Sequence, residues 1–283
     1  MCDFQPGLAV RDFVQCYRIV HFEFENKAPI PFKCYPPKPE SCLHFFLRDS
    51  FAIQQPGTEI LEQPSILFSG QRTNMVKQFT GSNFIDLQIV FQPTAIFCLT
   101  GISPSHLTDQ HVDAKSIFPK EIQFTLEQLQ EAKDYSELLR IIEHFTQNLI
   151  SAAKKDFTRV DPVSRLMLQA IKMSMIDWLA GESCLCTKQF KRNFQERTGI
   201  NPKTFLRIIR FNKAINMKNQ FPKKDWFSIA IDCAFYDYQH LVKDFKDFTG
   251  LTPAEFHTAE KNAPESVLNL TQDIYVSRCP SLI

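Results

Sequence analysis

The sequence predicts an α+β protein: a β-barrel or sandwich over residues 1–115, helices over 116–158, an all-α domain of two helix-turn-helix units joined by a long helix over 159–262, and an unassigned tail over 263–283. Three observations predict it. Apolar and polar residues alternate before residue 92, the spacing turns helical after Pro93, and a sixteen-residue segment recurs 51 positions downstream.

The strand signal is clearest at 84–91, where Ile85, Leu87, Ile89 and Phe91 alternate with Asp86 and Gln88 in the pattern of a half-buried strand. Shorter candidates lie at 14–24, 43–47, 65–69 and 75–79, and Pro36, Pro37 and Pro39 punctuate a turn region. The helical stretch ends in Leu138, Ile141, Ile142, Phe145 and Leu149 over Tyr135–Ser151. That stripe suits pairing with a second copy of the chain and packing on its own barrel equally well. The 27 phenylalanines read first as core and only second as the lining of a ligand cavity.

Composition excludes several classes. With 44% hydrophobic and 22% charged residues the chain is globular in balance, and no apolar run is long enough for a membrane span. The first thirteen residues lack the basic patch and apolar block of a secretory signal, so a cytoplasmic protein is expected. Nine cysteines, odd in number and without a CxxC pair, read as reduced thiols. Cys184 and Cys186 have no partners at zinc-site spacing and read as small, half-buried side chains. His21, His44, His106, His111 and His144 form no clustered HxH, and neither GxGxxG nor GxxxxGK[ST] occurs, so neither metal nor nucleotide cofactor is expected.

The recurring segment is FKRNFQERTGINPKTF at 190–205 and LVKDFKDFTGLTPAEF at 241–256. Phe194, Thr198, Gly199, Pro202 and Phe205 meet identical residues in Phe245, Thr249, Gly250, Pro253 and Phe256. Each copy reads as helix, turn, helix. In the first, Ser174 caps a short helix bearing Ile176, Leu179 and Ala180, Gly181 ends it, and a second helix begins at Cys186 or Thr187, buries Phe190 and Phe194 and closes at Gly199. In the second, Asp225 precedes a helix with Trp226, Ile229, Ala230 and Cys233 on one face, and Asp237 caps another that buries Leu241, Phe245 and Phe248. Thr252 to Glu255 reads as a capping box with Pro253 at the first helical position.

The exposed faces point to a polyanion. The net charge is only +1, yet residues 188–224 hold eleven Lys or Arg and a single acid, Glu196. Opposite Phe190 and Phe194 stand Lys188, Lys191, Arg192 and Gln195, and a shift of 51 gives Gln239, Val242, Lys243 and Lys246. Long donors of these types reach guanine and adenine edges in a major groove, and valine suits a thymine methyl. Thr187, Gln189 and His240 flank these positions and complete the candidate set. The connecting helix, expected over 202–217, carries Lys203, Arg207 and Arg210 in a stripe assigned to phosphates. Its sixteen residues would make a rod of about 24 Å, against the ~34 Å between successive major-groove faces.

These residues resemble the AraC/XylS family of transcription regulators over 161–259, above all in Thr198-Gly199-x-x-Pro202, Phe235-x-Asp237-x-Gln239-His240-Leu241 and Thr249-Gly250-x-x-Pro253. The resemblance implies base contacts from Lys188, Lys191 and Arg192 and from Tyr238, Gln239 and Lys243. Two positions depart from it: Cys186 stands where serine is usual at the cap, and Ala234 where glycine is usual in the second turn. Less specifically, Phe91-Gln92-Pro93 and the stretch 99–109 make the N-terminal half similar to the cupin-like sensor domains that precede such DNA-binding domains.

The function expected is a sequence-specific, double-stranded-DNA-binding transcription regulator, not an enzyme, whose N-terminal domain senses a small-molecule effector. RNA polymerase and a second copy of the chain are the further partners this role allows. The alternatives are a regulator with a purely dimerising N-terminal half and an alkyl-acceptor repair enzyme fused to a DNA-binding domain. No cysteine has the sequence-adjacent His or four-cysteine spacing that the latter calls for.

Overall fold

The computed structural model describes residues 1–23, 32–49, 51–169 and 175–261. Ser174, expected as a cap, Phe24 and the tail 263–283 lie outside the described residues. The strands are β1 (Cys2–Phe4), β2 (Val14–Glu23), β3 (Lys33–Tyr35), β4 (Cys42–Phe46), β5 (Phe51–Gln54), β6 (Leu61–Glu62), β7 (Ile66–Ser69), β8 (Val76–Thr80), β9 (Asn83–Phe91) and β10 (His111–Asp113). The helices are α1 (Ala95–Thr100), α2 (Glu121–Glu131), α3 (Tyr135–Ser151), α4 (Val160–Gln169), α5 (Ile176–Glu182), α6 (Thr187–Thr198), α7 (Pro202–Gln220), α8 (Trp226–Asp232), α9 (Tyr238–Thr249) and α10 (Pro253–Lys261). None is long and apolar enough to cross a membrane.

The strands form two antiparallel sheets, ordered β1-β2-β9-β4-β7-β10 and β3-β8-β5-β6, so the β part is an open sandwich and not a closed barrel. Side chains alternate about the larger sheet. Tyr17, Ile19, Leu43, Phe45, Phe68, Leu87, Ile89 and Phe91 face α1, α2 and α3 and make the main N-terminal core. Phe46, Phe51, Ile53, Leu67, Val76 and Phe84 pack as a second cluster bringing in the smaller sheet. The phenylalanines thus fill the core, as in the Phe46–Phe51 stack with centroids 4.7 Å apart.

Asp86 and Gln88 correct the half-buried reading of this central strand, because both are buried. Gln88 Nε2 donates to Asp86 Oδ2 at 2.6 Å, and His44 Nδ1 lies 3.0 Å from the same oxygen. Arg18, on the neighbouring strand, pairs with Asp3 at 2.9 Å and Glu40 at 3.0 Å. Burial pushes the Glu40 carboxyl up, but Arg18 and Lys38 outweigh it and hold the group at about 2. Burial beside Arg72 and His44 takes His111 down to about 3, so its ring stays neutral.

The apolar stripe of α3, Leu138, Ile142, Phe145 and Leu149, is spent on its own domain, with the Phe145 ring edge-on to Phe45. A separate core starts at Val160, Val163 and Met167 of α4 and continues through α5 to α10 as far as Phe256.

Candidate nucleic-acid interface

The first unit is α5 and α6. The preceding residue, Met175, caps α5 without a side-chain bond, and the helix runs through Gly181 to Glu182. The left-handed residue of the turn is Cys184, at φ 51°, which corrects the expectation that Gly181 ends the helix. Cys186 is the N-cap of α6, and Gln189 Oε1 accepts its N–H at 3.4 Å. The Thr187 hydroxyl donates to Asp177 at 2.6 Å, pinning α6 to α5 instead of capping it. Both Cys184 and Cys186 are exposed, against the half-buried expectation.

The second unit repeats this with one residue more. Leu185 N–H bonds the Ala180 carbonyl at 3.0 Å, and Phe235 N–H bonds Ala230 likewise at 3.0 Å, an offset of 50. Ala234 is left-handed at φ 57°, the conformation that glycine would adopt without strain. Tyr236, 86% exposed, is the extra residue that moves the offset to 51 for the recognition helices. Asp225 and Asp237 accept the N–H groups of Ser228 and His240, at 2.9 and 2.8 Å, and those backbone bonds hold both carboxyls below their ordinary range.

Burial separates the faces of the two recognition helices. Phe190 and Phe194 in α6, and Leu241 and Phe245 in α9, are completely buried, with Phe248 close to it. Lys188, Gln189, Lys191, Arg192 and Gln195 are exposed, as are Gln239, His240, Lys243 and Lys246. Thr187, Tyr238 and Val242 are half-buried, and His240 Nδ1 sits 2.9 Å from Asp237 Oδ1.

The helix between the units, α7, has 19 residues and spans about 28 Å, three residues longer than expected. Asn201 caps it, accepting the Thr204 N–H at 2.9 Å. Lys203 is exposed, but Arg207 Nε meets Asp244 Oδ1 at 2.9 Å and Arg210 Nη2 meets Asp244 Oδ2 at 2.8 Å, with Asp247 also on Arg207. This corrects the phosphate stripe. Two of its three charges clamp α7 to α9, leaving Lys203 as the member free of an ion pair among the described residues.

Sequence reasoning missed a cluster at the end of α6. Arg197 is buried and donates to Asp161 of α4 at 3.0 Å, to the Asp156 carbonyl at 3.0 Å and to Cys98 Sγ of α1 at 2.9 Å. Its guanidinium also lies 5.0 Å from the Phe97 ring centre. Burial pushes the Cys98 thiol up to about 11. One signal was available: Arg197 continues the buried stripe of Phe190 and Phe194, where the second copy has Phe248.

Residues 179–259 match a family described as a helix-turn-helix domain. The C-terminal domain is an AraC-type DNA-binding domain. Ahead of it, residues 3–113 match a domain of unknown function, DUF6597. No curated protein sequence matches the chain. Among solved structures the chain is similar to ToxT from Vibrio cholerae, at 12% identity and a TM-score of 0.47 over 86% of this chain and 98% of that one. A ToxT structure with bound unsaturated fatty acid gives 11% identity and 0.46 over 85% and 94%. In the AraC-type domain of the present chain both recognition helices are twelve residues long and end on a left-handed glycine.

Proposed function

We propose that the protein is a non-catalytic, sequence-specific transcription regulator, divided at about residue 159 between a sensor and the DNA-binding domain. The observation that carries this is the repeated exposed face: Lys188, Lys191, Arg192 and Gln195 in one copy, and Gln239, Lys243 and Lys246 in the other, each backed by buried aromatic or leucine side chains. Helices so placed read bases in successive major grooves, and Lys203 meets a phosphate. The partner is double-stranded DNA, with RNA polymerase recruited at the promoter. A gel-shift titration of the full chain against genomic fragments tests the reading. Specific binding that weakens steeply as salt rises is expected, and binding indifferent to salt or absent from every fragment overturns it.

The sensor reading adds a small-molecule effector. Supporting it is the polar interior of the sandwich, where Arg18, Asp86 and Gln88 are buried and His111 Nδ1 has no hydrogen-bond partner among the described residues. A screen of metabolites by thermal shift separates a sensor from a domain that only dimerises, since a ligand of the folded state raises the melting temperature.

A further inference from the structure

We propose that the N-terminal domain sets the distance and angle between the two recognition helices, and hence the half-site spacing the protein accepts, by holding the C-terminal end of each. The inference rests on the DNA-binding reading above.

The two ends are held at equivalent positions by different chemistry. At the end of α6, Arg197 enters the seam and reaches Cys98 and Phe97 of α1. Two residues on, Gly199 lies so close to the N-terminal domain that a Cβ there would fall 2.6 Å from Thr108 Oγ1 and 2.7 Å from the Pro104 carbonyl oxygen. At the end of α9, the residue in the place of Arg197 is Phe248, whose carbonyl accepts the Met75 N–H at 2.9 Å. Between them, Asn212 of α7 donates to the Pro37 carbonyl at 2.6 Å.

The gripping segments behave as one piece. Asp109, left-handed at φ 57°, accepts from both the N–H and the hydroxyl of Thr73 at 2.6 Å, and its own N–H bonds the Gln71 carbonyl at 3.0 Å. Gly70 N–H bonds the Gln110 carbonyl at 3.2 Å. The stretch bearing Met75 is thereby tied to the stretch bearing Pro104 and Thr108, so one platform touches both units. DNA presents its groove faces at a fixed repeat, and two reading helices held by one platform accept one separation of half-sites. Arg197 is a positioning residue in this scheme, since its buried guanidinium is turned away from the exposed face of α6.

The test is selection of bound duplexes from a random double-stranded DNA library by the full chain, carried out for wild type, Arg197→Gln, Arg197→Lys and Phe97→Ala. The wild-type pool should settle on two half-sites at one spacing. Phe97→Ala removes the ring beneath the guanidinium from the N-terminal side and leaves the DNA-binding domain unaltered. It should keep both half-site sequences but spread over neighbouring spacings, the preference for the best spacer over one a base pair longer falling roughly tenfold. Arg197→Gln should do the same, and Arg197→Lys should retain part of the preference. A Phe97→Ala pool with the wild-type spacing overturns the inference even if Arg197→Gln relaxes it, because the effect would then lie within the DNA-binding domain. A wild-type pool with no enriched sequence overturns the DNA-binding reading, and this inference with it.

Discussion

The two helix-turn-helix units share a frame and differ in what surrounds it. Both recognition helices close on a glycine, at φ 84° for Gly199 and 75° for Gly250. Around Gly199 the backbone of the N-terminal domain leaves no room for a Cβ, whereas nothing among the described residues lies within 4 Å of one at Gly250. Their beginnings differ too. The first unit starts its helices on Met175 and Cys186, and the second on the carboxylates of Asp225 and Asp237. A duplicated sequence has acquired one copy whose closing glycine is built into the seam with the N-terminal domain and one whose recognition helix meets that domain through a backbone bond at Phe248.

Substitutions at the seam should separate the copies most. Asp161→Ala strands the buried Arg197 charge and should cost about 3–5 kcal/mol in a denaturant titration, whereas Asp247→Ala, at an exposed pair in the second unit, should cost under about 1 kcal/mol. Gly199→Ala adds a backbone clash to a strained left-handed residue and should cost about 3 kcal/mol or more, against about 1 kcal/mol for Gly250→Ala. Equal losses in either pair would show that the N-terminal domain does not lean on the first copy.

On DNA the comparison should narrow. Arg192→Ala and Lys243→Ala, at matching exposed positions, should each weaken operator binding by about 1–3 kcal/mol and relax discrimination at one base pair, as read by competition gel shifts. A uniform loss across sequences would reassign that residue to a phosphate.

The smallest contrasts concern the caps. Asp237→Ala should cost about 1 kcal/mol, and Cys186→Ser should stabilise the first unit by a few tenths to about 1 kcal/mol. Backbone N–H groups hold Asp225, Asp237 and Glu255 below their ordinary values. Their contribution is therefore full above the unfolded carboxylate range and lost as pH falls through the lower folded values. The caps of α6 and α7, Cys186 and Asn201, are not carboxylates. Hydrogen exchange followed below about pH 4 should show α8, α9 and α10 losing protection before α6 and α7.

Much of this was legible in the sequence. Period-two alternation located β2, β4, β7, β8 and β9, and the repeat located both units with their Asp225 and Asp237 caps. The strands β1, β3, β6 and β10 were missed because two or three residues are too few to establish a period, and β5, Phe51–Gln54, was missed as well. Alternation at Asp86 and Gln88 read as a wet face because polarity does not reveal that a second sheet and its ion pairs cover it. Arg207 and Arg210 read as free cations because their partners, Asp244 and Asp247, lie on another helix. Counting from glycine to glycine gave an offset of 51, which concealed the offset of 50 at the turns and the extra residue, Tyr236.

The place of β9 in its sheet carries a consequence for biosynthesis. It is the last of the long strands to leave the ribosome, yet it inserts between β2 and β4. Until residue 91 has emerged, the β1–β2 ladder and the β4–β7 ladder are separate hairpin-like pieces with open edges, prone to pairing with other nascent chains. Arrival of this one segment joins them, and it precedes α4, the first helix of the C-terminal core, so every strand of that central pairing is available before the DNA-binding helices are translated.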